Sequence, residues 1–295
     1  MSHWTSNAIS AAYAAFRPSY PAALFSAVAK RCKQHDLCID VGCGNGQATT
    51  SLLSEFRQVI GIDPSSTQVA HAPAHERSRY VVGGAEEFAN VVFSGEHTAA
   101  AGSGGERFHK ADCVTVAQAI HWFHMPTFMS QVDLALKQQP GAVLAFWSYP
   151  LCTITSHPKI DALLKEMDAM LMRDGYWPAE RKHVDDHYAQ IWVPEYFPED
   201  KWTREVEVFP VVKSMGLDQF VAYLSTMSGV SRYQQQNKEA DLLADFRAAA
   251  LRSVVSEVVD DETTSATPQS LQTPPSADVM LEVVYNMETY FAIRK

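Results

Sequence analysis

The 295-residue chain has no C-x-x-C pair, no cluster of basic residues and no apolar stretch as long as a membrane span. Each absence excludes something. Its five cysteines (Cys32, Cys38, Cys43, Cys113, Cys152) are odd in number and lie in apolar stretches. That usage favours reduced thiols in a cytosol-like compartment over a disulfide framework. Lys+Arg number 24 against 34 Asp+Glu, a formal net charge of −10. Nucleic-acid binding draws its affinity from neutralised phosphates, so this balance argues against such a partner. A spanning helix needs roughly 20 apolar residues, so no membrane partner is expected. Residues 1–16 are rich in Ala and Ser but lack the basic start and apolar core of a secretion signal. A cytoplasmic setting is the expectation.

Hydrophobic residues make up 46% of the chain, enough for a substantial core. Two stretches cannot join it: 94–107, rich in Gly, Ala and Ser, and 260–277, polar with three prolines. Both read as flexible loops. Elsewhere in the first half, helical and strand-like segments alternate. Helices are expected over 21–33, 47–56, 65–72 and 128–136, and strands over 38–41, 59–63, 80–82, 112–117 and 142–147. Such alternation produces right-handed crossovers and a parallel sheet covered on both faces. Later, 203–212 and 279–293 read as strands that close the sheet as an edge pair, with helices over 218–227 and 241–259. Between them and the fifth strand, 154–202 is dense in aromatics and reads as a cap.

The sharpest feature is Asp40-Val41-Gly42-Cys43-Gly44-Asn45-Gly46-Gln47, between a strand and a helix. Gly42 and Gly44 remove the Cβ atoms that would keep a ligand off the backbone. Gly46 lets the helix start close to the strand, and the first helical turn exposes N–H donors. Asp63 ends the second strand, where open α/β sheets hydrogen-bond the hydroxyls of a ribose. Alone, the triplet is a turn and Asp63 a helix cap before Pro64; together they point to a ligand containing a nucleoside. A nicotinamide dinucleotide asks for G-x-G-x-x-G to seat its pyrophosphate, whereas the spacing here is G-x-G-x-G. Asp40 beside the loop also disfavours a diphosphate and suits an ammonium or sulfonium group, as in S-adenosylmethionine.

With these residues in place, the chain resembles the class I S-adenosylmethionine-dependent methyltransferases. DVGCGNGQAT and VIGIDPS look like their first two motifs, and Gly84-Ala85-Glu86-Glu87 and Val114 to Phe123 continue the likeness. Upstream, Tyr13 to Pro21 is similar to the Y-x-x-x-R-P-x-Y-P of a small-molecule subgroup that includes fungal trans-aconitate methyltransferase-like enzymes. The likeness covers roughly residues 13–149. Tyr223 to Ser228 resembles a later segment of the subgroup faintly, with Met227 where Trp is usual. The resemblance implies an α/β fold: a Rossmann-like, mostly parallel seven-stranded sheet with helices on both faces and an inserted helical, aromatic cap. It also implies one domain over 1–295, made of a lid and first helix (1–36), a cofactor-binding half (37–150), a substrate cap (151–202) and the last two strands with their helices (203–295).

As implied by the resemblance, Asp40, Gly42, Cys43, Gly44 and Gly46 surround the methionine part of the cofactor, and Asp63 holds its ribose. Pro64, Ser65, Ala85 and Glu86 flank the adenine, and Gln118 and Ala119 face the sulfonium. Tyr13, Arg17 and Tyr20 form a lid; otherwise Arg17 caps a surface and Tyr20 merely precedes a helix. Glu86 is alternatively an acid at a helix N-terminus. His121 is the candidate general base and Trp122 a wall of the methyl-transfer site, the alternative for both being ordinary packing. Substrate contacts are assigned to Tyr149, Tyr176, Trp177, Arg181, Tyr188 and Arg232. No metal is expected, since His121 with His124, and His71 with His75, lack further ligands.

A carboxylate acceptor is already ionised and needs no base, whereas a hydroxyl, amine or thiol needs a proton acceptor. Methylation of an oxygen of a small carboxylic acid is the leading reading, and the partner is a small molecule. An NAD-linked oxidoreductase and a non-catalytic binding module remain as alternatives. Nucleic-acid methylation is disfavoured by the charge and by Gln118-Ala119-Ile120-His121 standing where an N/D-P-P-Y tetrapeptide would be.

Overall fold

β1 (Leu37–Val41) is buried at every residue, as a strand covered on both faces must be. It runs parallel to β2 (Gln58–Asp63) on one side and to β4 (Cys113–Ala117) on the other. β3 (Ser78–Val82) continues past β2, and β5 (Val143–Ser148) past β4, again in parallel. β8 (Met280–Arg294) then pairs antiparallel with β5, from Val143 against Ile293 to Ser148 against Glu288. The resulting order is β3-β2-β1-β4-β5-β8. The chain leaves β1 toward β2 on one side and has β4 on the other, so a topological switch point lies at the carboxyl end of β1.

The computed structural model describes residues 17–94, 110–261 and 279–295. Almost all of the two expected loops therefore lies outside the described residues. The chain divides into two compact units. One contains Ser19–Pro150, Glu180–Phe209 and Asn286–Lys295; the other contains residues 17–18, Leu151–Ala179 and the described part of Pro210–Tyr285. The stretch expected as a single cap is thus divided after Ala179.

In the first unit, alternation along β5 sends side chains to opposite faces. Trp147 meets Phe25 of the helix Ala22–Arg31 edge-on, centroids 6.0 Å apart. Leu144 and Phe146 join a core with Phe88 of the helix Phe88–Phe93 and Phe128 of the helix Met125–Ala135. Helices therefore cover both faces, as expected. The second unit holds the helices Pro158–Arg173, Leu217–Ser225, Ser228–Gln236 and Leu242–Asp261. There, β6 (Thr153–Ile154) pairs with Val283 and Val284 of β8. Asp161 accepts the Ile154 amide at 2.8 Å, anchoring the first turn of the helix that follows β6.

β7 is longer than expected, spanning Trp202–Gly216, and pairs with β8, which is shifted by one residue from its expected range. Elements not anticipated include three of short or weak pattern. β6 has two residues, too few for a periodic signal. Phe88–Phe93 is a short apolar run that sequence periodicity cannot separate from a strand. Ser228–Gln236 is a mostly polar helix whose buried residues are Gly229 and Val230.

Candidate active site

After β1 the chain passes through Gly42, Gly44 and Gly46 at φ +71°, +55° and +86°. Glycine adopts this left-handed region without steric cost. The amides of Gly42 and Cys43 both donate to the Ile62 carbonyl, at 2.8 and 3.1 Å, tying the loop to the end of β2. A Cβ on Gly42 would lie 2.7 Å from the Ala119 Cβ, and one on Gly46 would run 2.8 Å from carbons of the Tyr80 ring. On Gly44 it would meet nothing within 4 Å. Packing thus demands Gly42 and Gly46, while Gly44 leaves open space above the loop.

Two acids flank this loop in different states. Asp63 is half-buried, and its oxygens accept the amides of Gly44 and Ser65, each at 2.9 Å. Each oxygen keeps acceptor capacity for an incoming hydroxyl. The alternative of a local cap is also realised, since Asp63 holds the Ser65 amide just ahead of the helix Ser66–Ala70. Asp40 is fully buried, its oxygens accepting from Thr49 at 2.6 Å and Thr115 at 2.9 Å. Burial pushes its pKa up to about 6; the threonine hydrogen bonds oppose that shift, and the charge of Asp63 adds to it. Asp40 thus ties the end of β1 to the helix Gln47–Leu52 through Thr49 and to β4 through Thr115. Sequence reasoning missed Thr49 and Thr115, although an acid inside a buried strand must have donors nearby. Cys43 is buried, and its thiol is raised by desolvation and by both carboxylates.

Gln118 takes φ +58° at the end of β4, a conformation uncommon outside glycine. Its Nε2 is shielded from solvent and has no hydrogen-bond partner. Ala119 abuts Gly42, so the turn after β4 and the glycine loop are in contact. His121 and Trp122 follow on a 3-10 turn, Ile120–Trp122, their rings 5.1 Å apart. Trp122 is 54% exposed, which removes core packing as its explanation. The His121 Nδ1 lies 3.2 Å from the hydroxyl of the buried Tyr188. Burial, then His183 and Arg181, push the His121 pKa down to about 4.

The other expected residues sort by location. Pro64 is exposed, and Ser65 accepts the Gln68 amide as a helix cap. Ala85 is buried in the core. Glu86 accepts the His124 amide at 3.0 Å, at the start of the helix Met125–Ala135. Tyr20 packs edge-on against Trp147 at 5.5 Å. Tyr149 is buried, and Arg181 pairs with Asp185 at 2.8 Å. These residues, with Tyr188, belong to the first unit. Arg17, Tyr176, Trp177 and Arg232 belong to the second. Arg17 donates to the side chain and carbonyl of Thr226, each at 3.2 Å, at the end of the helix Leu217–Ser225. Tyr176 accepts from Asn237, and Trp177 packs against Gly229. Tyr13 lies outside the described residues. Among the described residues, no three His, Cys, Asp or Glu side chains are grouped so as to hold a metal.

An open, mostly parallel sheet with a glycine loop and an acid of spare acceptor capacity at its switch point is the architecture of α/β proteins that take a nucleoside-containing ligand. The methyltransferase domain family matches residues 13–200, and the chain belongs to that family. A protein of Dictyostelium discoideum assigned as a methyltransferase is 31% identical over 246 residues, covering 83% of this chain and 84% of its own. A Saccharomyces cerevisiae protein assigned as an S-adenosylmethionine-dependent methyltransferase is 25% identical over 279 residues, covering 86% and 90%. A solved structure from Anaeromyxobacter dehalogenans, described as a type II methyltransferase, superposes with a TM-score of 0.68 at 28% identity, covering 94% and 97%. The chain is therefore an S-adenosylmethionine-dependent methyltransferase, and the NAD-linked and non-catalytic alternatives are set aside. The residues present suit that cofactor: there is open space at Gly44, acceptor capacity at Asp63 and an unused donor at Gln118.

Proposed function

We propose that this enzyme methylates an oxygen of a small carboxylic acid; the similarity of Arg17-Pro18-Ser19-Tyr20-Pro21 to the entry motif of a small-molecule subgroup supports this reading. S-adenosylmethionine supplies an activated methyl group, so the protein's task is orientation and exclusion of water. Gly42, Cys43 and Gly44 would receive its methionine part, Asp63 its ribose, and Gln118 and Ala119 would bound the space beside the sulfonium.

The observation that carries the acceptor assignment is the state of His121. With its pKa near 4, it is a poor proton acceptor at neutral pH. A hydroxyl or amine acceptor would need a base, whereas a carboxylate does not. The Arg181 guanidinium beside His121, although paired with Asp185 at 2.8 Å, adds positive charge that suits an anionic acceptor. The partner is taken to be a small molecule rather than nucleic acid or membrane, and the setting cytoplasmic. The −10 charge and the five buried free cysteines support that reading. No helix among the described residues is long and apolar enough to cross a membrane.

The test is incubation with methyl-labelled cofactor and a panel of small carboxylic acids, alcohols and amines. A methyl ester releases labelled methanol in alkali, the expected result. An alkali-stable product formed only from alcohols or amines would overturn the acceptor assignment.

A further inference from the structure

His187 and Tyr188 are consecutive non-glycine residues in the left-handed region, at φ +51° and +52°. Two such residues in a row persist only where their surroundings over-determine them. Here the Tyr188 amide donates to the His183 carbonyl at 2.7 Å, turning the chain after the helix Arg181–Asp185. The Tyr290 hydroxyl donates to the His187 carbonyl at 2.9 Å, and the His187 Nδ1 lies 2.8 Å from both oxygens of Glu288. This clamp drives the Tyr188 ring inward, fully buried against Phe146 at 5.6 Å and Tyr290 at 5.5 Å. The phenol oxygen arrives beside His121 Nδ1, 67 residues away in sequence.

Hydrogen-bond accounting then assigns the protons. A phenol has one proton and accepts through its oxygen, and a neutral imidazole has a proton on one nitrogen only. The fully buried Tyr188 hydroxyl has its hydrogen bond with His121 Nδ1, at 3.2 Å. A buried O–H without an acceptor is costly, and a phenol gives its proton more readily than it accepts one. The phenol proton therefore goes to Nδ1. The imidazole proton must then sit on Nε2, which has no hydrogen-bond partner among the described residues.

We propose that Tyr188 is a positioning residue that holds His121 as a neutral imidazole protonated on Nε2. In that state His121 gives a hydrogen bond to an anionic oxygen of the methyl acceptor instead of removing a proton from it. The depressed basicity of His121 agrees with this state, since burial above all disfavours a second proton. The acceptor half of this proposal rests on the carboxylic-acid reading; the tautomer does not.

The test is long-range proton–nitrogen correlation NMR on the full chain labelled with 15N-histidine at pH 7, with His121→Gln assigning the signal. The wild type is expected to show His121 as a single Nε2–H tautomer. In Tyr188→Phe, both tautomers should appear, with the KM for the acceptor up about tenfold and kcat within about twofold. A wild-type Nδ1–H tautomer, or a tautomer mixture, overturns the proposal without recourse to any variant. A lone Nε2–H signal that persists in Tyr188→Phe overturns the role of Tyr188. An Nε2–H wild type that methylates only alcohols or amines overturns the acceptor half and leaves the tautomer in place.

Discussion

The carboxylate of Asp63 accepts the Gly44 amide at 2.9 Å, so the acid that ends β2 also shapes the glycine loop that follows β1. Asp63→Ala should therefore do two kinds of damage, removing acceptors for a ribose and releasing the loop. Hydrogen bonds to charged groups are worth about 1.5–3 kcal/mol each, so binding of S-adenosylhomocysteine should weaken by about 100-fold or more. Isothermal titration calorimetry measures this directly, and a loss below about fivefold would remove Asp63 from the cofactor site.

Gly42→Ala and Gly44→Ala should separate packing from ligand access. Both positions have positive φ, so each variant carries backbone strain of about 1 kcal/mol or more. Only Gly42→Ala also drives a methyl to 2.7 Å from Ala119. Thermal unfolding should show the larger drop for Gly42→Ala, while Gly44→Ala keeps most stability and loses cofactor affinity.

Asp40 makes stability depend on pH. Its folded pKa, about 6, exceeds its ordinary value near 3.8, so between these values the folded state binds the proton more tightly. Raising pH through that window lowers stability, and the penalty is complete above about pH 6. Two units correspond to an amount on the order of 3 kcal/mol. His121 acts in the opposite direction, because its lowered folded pKa makes stability fall as pH drops from about 6.5 to about 4. Urea unfolding of wild type and Asp40→Asn at pH 4.5 and 7 isolates the Asp40 share. The stability difference between the two proteins should shift toward the variant at pH 7.

Glu86→Gln distinguishes a cap from a cofactor contact. Glu86 is exposed and holds the His124 amide at 3.0 Å, an arrangement worth about 0.5–1 kcal/mol at a helix start. The variant should lose about that much stability in chemical denaturation. If the acid also touches the adenine, calorimetry should show affinity for S-adenosylhomocysteine falling several-fold as well.

Much of the cofactor half was legible from the chain alone. The buried strands β1, β2, β4 and β5 announce themselves as short apolar runs ended by glycine, proline or polar residues, and the G-x-G-x-G loop with Asp63 is a local pattern. The lid residues were less legible: Arg17 serves the end of the helix Leu217–Ser225, and Tyr20 packs on Trp147. Nothing near either residue in sequence names those partners. Trp122 reads equally as core or as surface until its exposure is seen.

The sequence by itself determined the sheet's parallel half and the cofactor loop, because strand alternation and glycine conformation depend on near neighbours along the chain. Only the tertiary structure decided the protonation states. Burial raises the Asp40 pKa to about 6 against the opposing hydrogen bonds of Thr49 and Thr115, and burial, then His183 and Arg181, lowers that of His121. Those shifts come from desolvation and from groups brought together across the fold, and no spacing rule along one chain encodes them.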